Sequence, residues 1–277
     1  MTEPASPAPD GGFLTAEETA VGNRYLDAGY VIEAVADRAA LDRMRDHIAA
    51  LAARHLGLPL PPDRNHFLNR IGDHVSPARL NDLRLAVING ANAEPWFREC
   101  YFAVGRRLLS DIVGNELVMQ RRVNLSVQLP DDDSSLLPVH ADVWSGDSPY
   151  EVVMWLPLVD CFRTKAMYLM PPARDAEIQA GFSEFNGKSS EDLYKAIEPH
   201  VKFVDISYGQ VIVFNHNLMH GNRVNREPET RWSMNCRFKS LFSPYADKRL
   251  GEFFEPITIR PATRIGMSHV LPGGFGE

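Results

Sequence analysis

The spacing of the apolar residues changes near Gly114, and this change limits the folds open to the chain. Before that point Leu41, Met44 and Ile48 recur at steps of three and four, the spacing of one face of an α-helix. After it, apolar and polar residues alternate over 123–129, as in a β-strand with one buried face. The spacing therefore predicts a mainly helical part over 13–114 and a strand-rich part over 115–243.

Short apolar stretches between turn residues mark the predicted strands. They span 29–35, 123–129, 151–159, 167–170, 201–206, 209–214 and 231–241. Several short strands after a helical part predict an α+β protein with a jelly-roll core (a double-stranded β-helix, cupin-like) and flanking N-terminal helices. In that architecture, residues far apart in the sequence meet inside the roll.

Capping and breaking residues place the helices. Thr15 and Glu18 have the spacing of a capping box. Further helices are predicted over 41–55, ended by Gly57, over 77–88, closed by Asn89-Gly90, and over 95–113. The insertion 175–199 is polar and helical, and such an insertion is where a substrate-binding flap is expected. Residues 1–12 are expected to form a flexible leader and 13–277 a single domain ending in a tail over 244–277.

A short His-x-Asp motif is the strongest sign of chemistry. If 138–144 is a strand, His140 and Asp142 share one face, and Trp144 follows them on it. His220, expected at the far end of the strand that begins at Gly209, supplies a third ligand, with His216 as the alternative. Two imidazoles and one carboxylate on one side of an ion leave positions open, which suits ferrous iron that binds a co-substrate and dioxygen.

Two arginines are candidates to hold the co-substrate. Arginine binds a carboxylate bidentately, so it suits the distal carboxylate of 2-oxoglutarate bound to such an iron. Arg231 begins the strand after His220. Arg237 follows six residues later and therefore lies on the same face of that strand, so either arginine is a candidate anchor. Lys165 could assist. The polar, uncharged face of 123–129, with Asn124 and Gln128, is predicted to line the cavity.

Several of these residues together resemble a known enzyme family. Gly29-Tyr30-Val31-Ile32, His140-x-Asp142, Gly209-Gln210-Val211, His220-Gly221-Asn222, Asn225 and Arg231 look like the phytanoyl-CoA-dioxygenase-type branch of the iron(II)/2-oxoglutarate oxygenases. The likeness covers 29–241. Residues 140–149 and 155–160 are more specifically similar to oxygenases of carbohydrate and sugar-antibiotic biosynthesis clusters. The Gly-Ser-His usual in the broad branch is replaced by Pro171-Pro172-Ala173 after Met170.

The resemblance implies a reaction and a set of cofactors. It implies Fe(II), 2-oxoglutarate and O2, with His140, Asp142 and His220 as iron ligands and Arg231 as the co-substrate anchor. Oxidative decarboxylation of 2-oxoglutarate would be coupled to hydroxylation of a substrate C–H bond. The presence of Asp142 favours hydroxylation over halogenation, since related halogenases lack that carboxylate.

The substrate is expected to be a sugar, a nucleotide-sugar or a polar natural-product intermediate. The polar cavity face argues against a purely apolar molecule. The residues proposed to contact this substrate are Trp144, Ser148, Trp155 and His216. Phe182 and Phe185 of the insertion are further candidates.

Composition excludes several other roles. A net charge of −7 without a basic cluster argues against a nucleic-acid partner. Three distant cysteines argue against a disulfide framework, which favours a reducing compartment. There is no signal-peptide pattern and no apolar run long enough to span a membrane, so a cytoplasmic, soluble protein is predicted.

Two rival hypotheses keep the fold and change the role. A jelly-roll isomerase, lyase or oxoglutarate-independent dioxygenase would use the same three ligands and make Arg231 a substrate or structural residue. A non-catalytic binding module would hold a metal structurally, although structural zinc sites usually close four ligands with cysteine or histidine.

Overall fold

The computed structural model describes residues 12–271, and the leader predicted over 1–12 lies almost wholly outside this range. Five α-helices lie in the part of the described chain that precedes Gly114. They are α1 (Ala16–Ala28), α2 (Arg38–His55), α3 (Arg64–Asn69), α4 (Pro77–Asn92) and α5 (Pro95–Val113). The capping box predicted at the start of α1 is confirmed, because Thr15 and Glu18 bond reciprocally to each other's backbone N–H.

Helix α4 is longer than the sequence predicted. It continues through Asn89 and Gly90 to Asn92, so the prediction that these two residues close it was wrong. A Cβ at Gly90 would lie 2.8 Å from Cδ2 of Leu51 in α2. The glycine therefore lets two helices approach closely, and this packing outweighs its low helix propensity.

Within residues 12–271, ten strands form two antiparallel sheets. They are β1 (Tyr30–Ala34), β2 (Leu117–Gln120), β3 (Asn124–Gln128), β4 (Glu151–Pro157), β5 (Tyr168–Leu169), β6 (Lys202–Phe203), β7 (Gln210–Phe214), β8 (His220–Gly221), β9 (Arg231–Ser240) and β10 (Phe254–Pro256). The larger sheet has the order β1-β7-β4-β9-β2-β10, with β3 also paired to β9, and the smaller has the order β6-β5-β8. Every one of these pairings is antiparallel, so the predicted combination of helices with antiparallel strands is confirmed.

The insertion between β5 and β6 is helical, as predicted. It contains α6 (Pro172–Ala180), a 3-10 turn (Phe182–Phe185) and α7 (Ser190–Ile197). Leu193, Tyr194 and Ile197 of α7 pack with Tyr168 of β5 in a small apolar cluster beside the smaller sheet. The sequence did not predict β2, β10 or the last helix, α8 (Pro261–Ser268). None of these three elements has a long alternating or helical apolar pattern of its own.

One apolar core joins the helices to the larger sheet. Tyr101 of α5 is fully buried, and its hydroxyl donates to the carbonyl of Met154 in β4 at 2.6 Å. Trp232 of β9 is equally buried, and its Nε1 donates to the carbonyl of Leu68 in α3 at 2.8 Å. These bonds fix the helical layer against β4 and β9, two of the strands that carry cavity residues. No helix within 12–271 has the length and apolarity required to cross a membrane.

Candidate metal centre and cavity

His140 and His220 are joined through their backbones. The N–H of each donates to the carbonyl of the other, at 3.0 and 2.8 Å, and the ring centroids are 4.3 Å apart. This isolated bridge replaces the arrangement predicted from sequence. His220 does not end β7: the chain leaves the larger sheet after Phe214 and enters the smaller one at β8.

Both rings direct Nε2 toward Asp142, because Nδ1 of each ring contacts a backbone carbonyl. Nδ1 of His140 lies 2.8 Å from the Pro138 carbonyl, and Nδ1 of His220 lies 2.8 Å from the Leu218 carbonyl. A carbonyl only accepts, so each neutral ring carries its proton on Nδ1 and has its lone pair on Nε2. Hydrogen bonds of this kind orient histidines that bind metals through the other nitrogen.

Asp142 completes the group of three. Its Oδ1 lies 3.4 Å from Nε2 of His140 and 4.0 Å from Nε2 of His220. The backbone N–H of Asp142 donates to the His216 carbonyl at 3.1 Å, which holds the carboxylate in place. The ligand atoms of His140, Asp142 and His220 all lie within 4.8 Å of one another, a spacing that one metal ion can span.

Asp142 and Trp144 do not lie on a strand. Asp142 begins a 3-10 turn that extends to Ser145, so the predicted alternation of side chains over 138–144 was wrong. Trp144 consequently points elsewhere: its ring packs on Phe182 at a centroid distance of 4.9 Å and is 41% exposed. The contact connects the His-x-Asp segment to the helical insertion.

The protonation states of His220 and Asp142 suit a cation. Burial, assisted by the neighbouring His140, lowers the pKa of His220 to about 4. Burial alone would raise the pKa of Asp142, but the neighbouring His140 and His216 and the charge of Arg237 hold it well below its usual range. At neutral pH the site therefore offers an unprotonated imidazole and an ionised carboxylate.

The second oxygen of Asp142 has different partners. Oδ2 accepts from Nη2 of Arg237 at 2.9 Å and lies 3.3 Å from Nδ1 of His216. Arg237 also contacts Asp147 through its Nε at 3.1 Å, and Lys248 pairs with the same Asp147. Asp142 is thus held from behind by a buried chain of alternating charges, while Oδ1 faces the histidines.

Two imidazole nitrogens and one carboxylate oxygen form a donor set that divalent transition metals bind. This combination on one side of an ion is typical of non-haem ferrous sites with open positions. The same three residues line a cavity of about 650 Å³, so the side opposite the donors is open to a small molecule. The residues present therefore fit the iron that the sequence predicted.

Arg231 lines the same cavity without a counter-ion. Its side chain is 3% exposed, Nη2 donates to Oγ of Ser126 at 3.0 Å, and Nε has no hydrogen-bond partner within 12–271. Burial lowers the pKa of Arg231 to about 10, so the guanidinium stays charged at neutral pH. A buried cation with unused donors is costly unless a ligand supplies the anion.

The two candidate arginines therefore differ in what they already bind. Both lie on β9 and both line the cavity, as their shared parity predicted. Arg237 is committed to Asp142 and Asp147, whereas Arg231 forms no ion pair with a carboxylate in the described part of the chain. Of these two arginines, only Arg231 has a charge available for a bound anion.

Of the other residues predicted to bind the co-substrate, one lines the cavity and two do not. Asn124 of β3 lines the cavity and donates to Oδ1 of Asn235 at 3.0 Å. Gln128 and Lys165 do not line it. Gln128 donates its amide to the Arg223 carbonyl at 2.7 Å, and fully buried Lys165 bonds to Asn69 and Glu229 at 2.8 and 2.7 Å. Lys165 was predicted to help hold the co-substrate because it lies next to a strand, but its charge is paired with Glu229.

The predicted substrate residues are also divided. Trp155 of β4 lines the cavity, whereas Ser148 and His216 do not line it and lie behind the candidate metal ligands. The Ser148 hydroxyl donates to the Pro244 carbonyl at 2.6 Å, and Nε2 of His216 lies 3.0 Å from the Ser148 carbonyl. Both are fully buried, so they support the charged chain around Asp142 rather than contact a molecule in the cavity.

Sequence reasoning missed the cavity wall formed by α4 and by the loop before His140. Asn81 and Arg84 of α4 line the cavity, as do Leu136 and Leu137. An asparagine and an arginine one turn apart are typical of a solvated helix face, so no local pattern identified them. Asn222 fixes the loop: its Oδ1 accepts from the Leu137 N–H at 2.6 Å, and its own N–H donates to the Leu137 carbonyl at 3.1 Å.

No family model matches this sequence, and no curated protein matches it. Solved structures do match its fold. The nickel complex of the non-haem monooxygenase ThoJ is 17% identical, with a TM-score of 0.50 over 81% of this chain and 79% of that one. EctD from S. alaskensis, with 2-oxoglutarate and 5-hydroxyectoine, is 16% identical, with a TM-score of 0.54 over 87% and 81%. HygX from Streptomyces hygroscopicus, with nickel and 2-oxoglutarate, is 15% identical, with a TM-score of 0.51 over 86% and 90%.

At these identities the likeness is one of fold. The helix-flanked jelly roll predicted from the sequence is confirmed by it.

Proposed function

We propose that this protein is a non-haem iron(II)/2-oxoglutarate-dependent oxygenase that hydroxylates a small polar molecule. One observation carries the proposal: two imidazole Nε2 atoms and Oδ1 of Asp142 converge within 4.8 Å on a cavity that also contains the guanidinium of Arg231, which forms no ion pair within 12–271. The solved structures of similar fold support it, since HygX was crystallised with nickel and 2-oxoglutarate. The motifs shared with the phytanoyl-CoA-dioxygenase-type branch favour that branch.

His140, Asp142 and His220 would hold the metal. Hydrogen bonds from Nδ1 of the two histidines to backbone carbonyls would keep both Nε2 lone pairs directed at the ion. Arg237 and His216 occupy the other oxygen of Asp142, so a metal bound there would take Oδ1 alone. With the two imidazoles, a single-oxygen contact from Asp142 would leave positions on the metal open for the co-substrate and dioxygen.

Arg231 would bind the distal carboxylate of 2-oxoglutarate. It is buried and charged, has no acidic partner among the described residues, and is oriented by a hydrogen bond to the Ser126 hydroxyl. A dicarboxylate would satisfy the Nε donor that no group in the described chain satisfies. Arg237 is the weaker candidate, because binding a co-substrate would require it to leave two buried carboxylates.

Iron, when bound with 2-oxoglutarate, supplies the chemistry that couples oxidative decarboxylation to oxidation of a C–H bond. The protein's own residues position the partners and exclude water. Trp155, Val153 and Phe214 form a buried apolar wall beside the donors. A wall of this kind keeps a substrate C–H bond close to the metal and keeps bulk solvent out. The polar Asn124 and Ser126 favour a sugar, a nucleotide-sugar or another polar metabolite.

Anaerobic reconstitution tests the proposal. Wild-type protein mixed with ferrous iron and 2-oxoglutarate should develop a weak visible charge-transfer band, and His140→Ala and His220→Ala should lose it. Exposure of the wild-type complex to air should then produce succinate. A wild-type protein that binds ferrous iron without developing the band would overturn the proposal.

Arg231→Met tests the co-substrate anchor separately. Loss of two charge-assisted hydrogen bonds should raise the 2-oxoglutarate concentration needed for half-maximal band intensity roughly 100-fold. Arg121→Met is the matched control, because Arg121 is half exposed and pairs with Glu255 at the surface. If Arg237→Met reproduces the effect and Arg231→Met does not, the two arginines have been assigned the wrong way round.

A further inference from the structure

The charges lining the cavity are unbalanced. Three arginines line it, Arg84, Arg231 and Arg237, against a single carboxylate, Asp142. The protein as a whole is acidic, with a net charge of −7, so this local excess of cations does not follow from composition. Clefts lined by one sign of charge attract ligands of the opposite sign.

Two of the three arginines already have assigned partners. Arg237 pairs with Asp142 and Asp147, and Arg231 is left for the distal carboxylate of the co-substrate under the proposed function. Arg84 is not needed for either purpose. It is the remaining cation of the cavity wall.

Arg84 is held in place without being neutralised. Its Nη2 donates to Oδ1 of Asn81, one turn earlier in α4, at 2.7 Å. It forms no ion pair with a carboxylate anywhere in 12–271, unlike Arg70, Arg121 and Arg223, which pair with Asp73, Glu255 and Glu191. Its side chain is only partly exposed, so a ligand's anionic group would meet a charge less screened than one in open solvent.

The surroundings of Arg84 indicate which part of a ligand it would meet. Leu136 and Leu137, 37% and 50% exposed, line the cavity together with Arg84, whereas Arg231 and Trp155 are buried. The partly exposed residues therefore lie toward the opening and the buried ones at the inner end. Asn222 fixes the Leu137 backbone, so the apolar rim is part of the built site rather than a loose loop.

We propose that Arg84 binds an anionic group, a carboxylate or a phosphate, on the primary substrate at the opening of the cavity. The body of that substrate would lie over Leu136 and Leu137, and its reactive C–H bond would point to the metal. This inference rests on the proposed function, because it takes Arg231 as the site of the co-substrate. It narrows the substrate class from polar small molecules to anionic ones.

Matched ligands of the same size test the inference. Protein loaded with nickel and saturated with 2-oxoglutarate is titrated calorimetrically with phenyl phosphate, phenylacetate and the neutral phenylacetamide. Wild type should bind at least one anion roughly tenfold more tightly than the amide, as expected for one charge-assisted contact. The two anions distinguish a phosphate from a carboxylate site.

Variants of one helix provide the controls. Arg84→Gln should remove most of the anion preference, and Arg84→Lys should keep part of it. Arg79→Gln should retain it in full, because Arg79 is exposed, lies five residues away on another face of α4 and does not line the cavity. Affinity for the amide should stay the same in all four proteins.

Three results would overturn the inference. These are a wild type that does not prefer either anion, equal losses in Arg84→Gln and Arg79→Gln, and a tenfold loss of 2-oxoglutarate affinity in Arg84→Gln, which would make Arg84 the co-substrate anchor. Failure of the proposed function is a separate outcome. It would appear as nickel-loaded wild type that does not bind 2-oxoglutarate at all.

Discussion

At the scale of single residues, the site depends on how buried charges are paired. Asp142 shares its two oxygens between the candidate metal position and the Arg237 guanidinium. Beside this chain of charges lies Glu151, which is 2% exposed. Its Oε1 accepts from the Ser148 N–H at 3.0 Å, but its Oε2 has no partner within 12–271. Burial, and then the nearby Asp147, raise the pKa of Glu151 to about 7.

This raised pKa predicts a specific pH dependence of stability. Unfolded Glu151 ionises near its ordinary pKa of 4.5, whereas the folded group keeps its proton up to about pH 7. The folded state therefore binds more protons between these values, and its stability falls as pH rises through that window. Glu151→Gln should remove this loss and stabilise the protein at pH 8 by about 2 kcal/mol, with little effect at pH 4.5.

Denaturant unfolding at pH 4.5, 6, 7 and 8 measures the effect. Glu177→Gln is the control, because Glu177 is exposed and its side chain pairs only with Arg174 at the surface. The difference between wild type and Glu151→Gln should grow with pH up to about pH 7 and then level off. A difference that is constant across the range would contradict the assigned cause.

The sequence identified the candidate ligands better than it identified their support. His140, Asp142 and His220 have a motif spacing and residue types that metal chemistry requires. Ser148 was expected to contact the substrate, and Lys165 to help hold the co-substrate. Their actual partners, the Pro244 carbonyl and Glu229, arrive from distant segments. Long-range pairing of this kind leaves no local pattern, which is why it was not predicted.

At the scale of elements, alternation and helical spacing predicted more than single breaking residues did. In β3, apolar Leu125 and Val127 alternate with Asn124 and Ser126, and the structure has both the strand and its cavity face. Gly90 was taken to end α4 because glycine weakens helices. Contact with Leu51 across the helix pair explains why it does not.

Little space surrounds Gly221 in β8. A Cβ there would lie 2.6 Å from the Tyr168 hydroxyl and 2.7 Å from the Leu137 carbonyl. Since the carbonyl is backbone, it cannot move aside cheaply. Gly221→Ala should shift β8 together with His220, lower the free energy of unfolding by about 2 kcal/mol and weaken metal binding.

Gly22→Ala is the contrasting variant. Gly22 lies in α1 with open space around it, so an alanine should stabilise the helix by about 0.5–1 kcal/mol. Thermal unfolding of both variants and calorimetric titration with nickel measure the two effects. Gly221→Ala with unchanged metal affinity would mean that the position of β8 does not control the site.

At the scale of the whole molecule, the candidate site joins the two sheets. His220 lies in the smaller sheet, His140 is bridged to it, and Asp142 is tied to β9 of the larger sheet through Arg237. A metal bound to all three would therefore connect the sheets directly. Any ligand that binds only the folded state stabilises it by mass action.

Metal binding is accordingly expected to raise the melting temperature. Nickel or manganese at 100 times its dissociation constant should add about 2.7 kcal/mol, or about 5 °C for a chain of this size. His220→Ala should lose the increase, and excess chelator should reverse it in wild type. His200→Ala is the control, because His200 is exposed and lies outside the cavity. An equal loss in His200→Ala would mean that the metal acts elsewhere.

The backbone bridge between His140 and His220 has a consequence for how this site can change. The bridge is made by N–H and carbonyl groups that every residue except proline possesses. Exchanging either imidazole for a thiol or a carboxylate would leave the connection between the two positions intact. The scaffold and its reactive side chains are thus separable, so the protein offers a frame in which a different metal preference, or none, can be installed without rebuilding the fold.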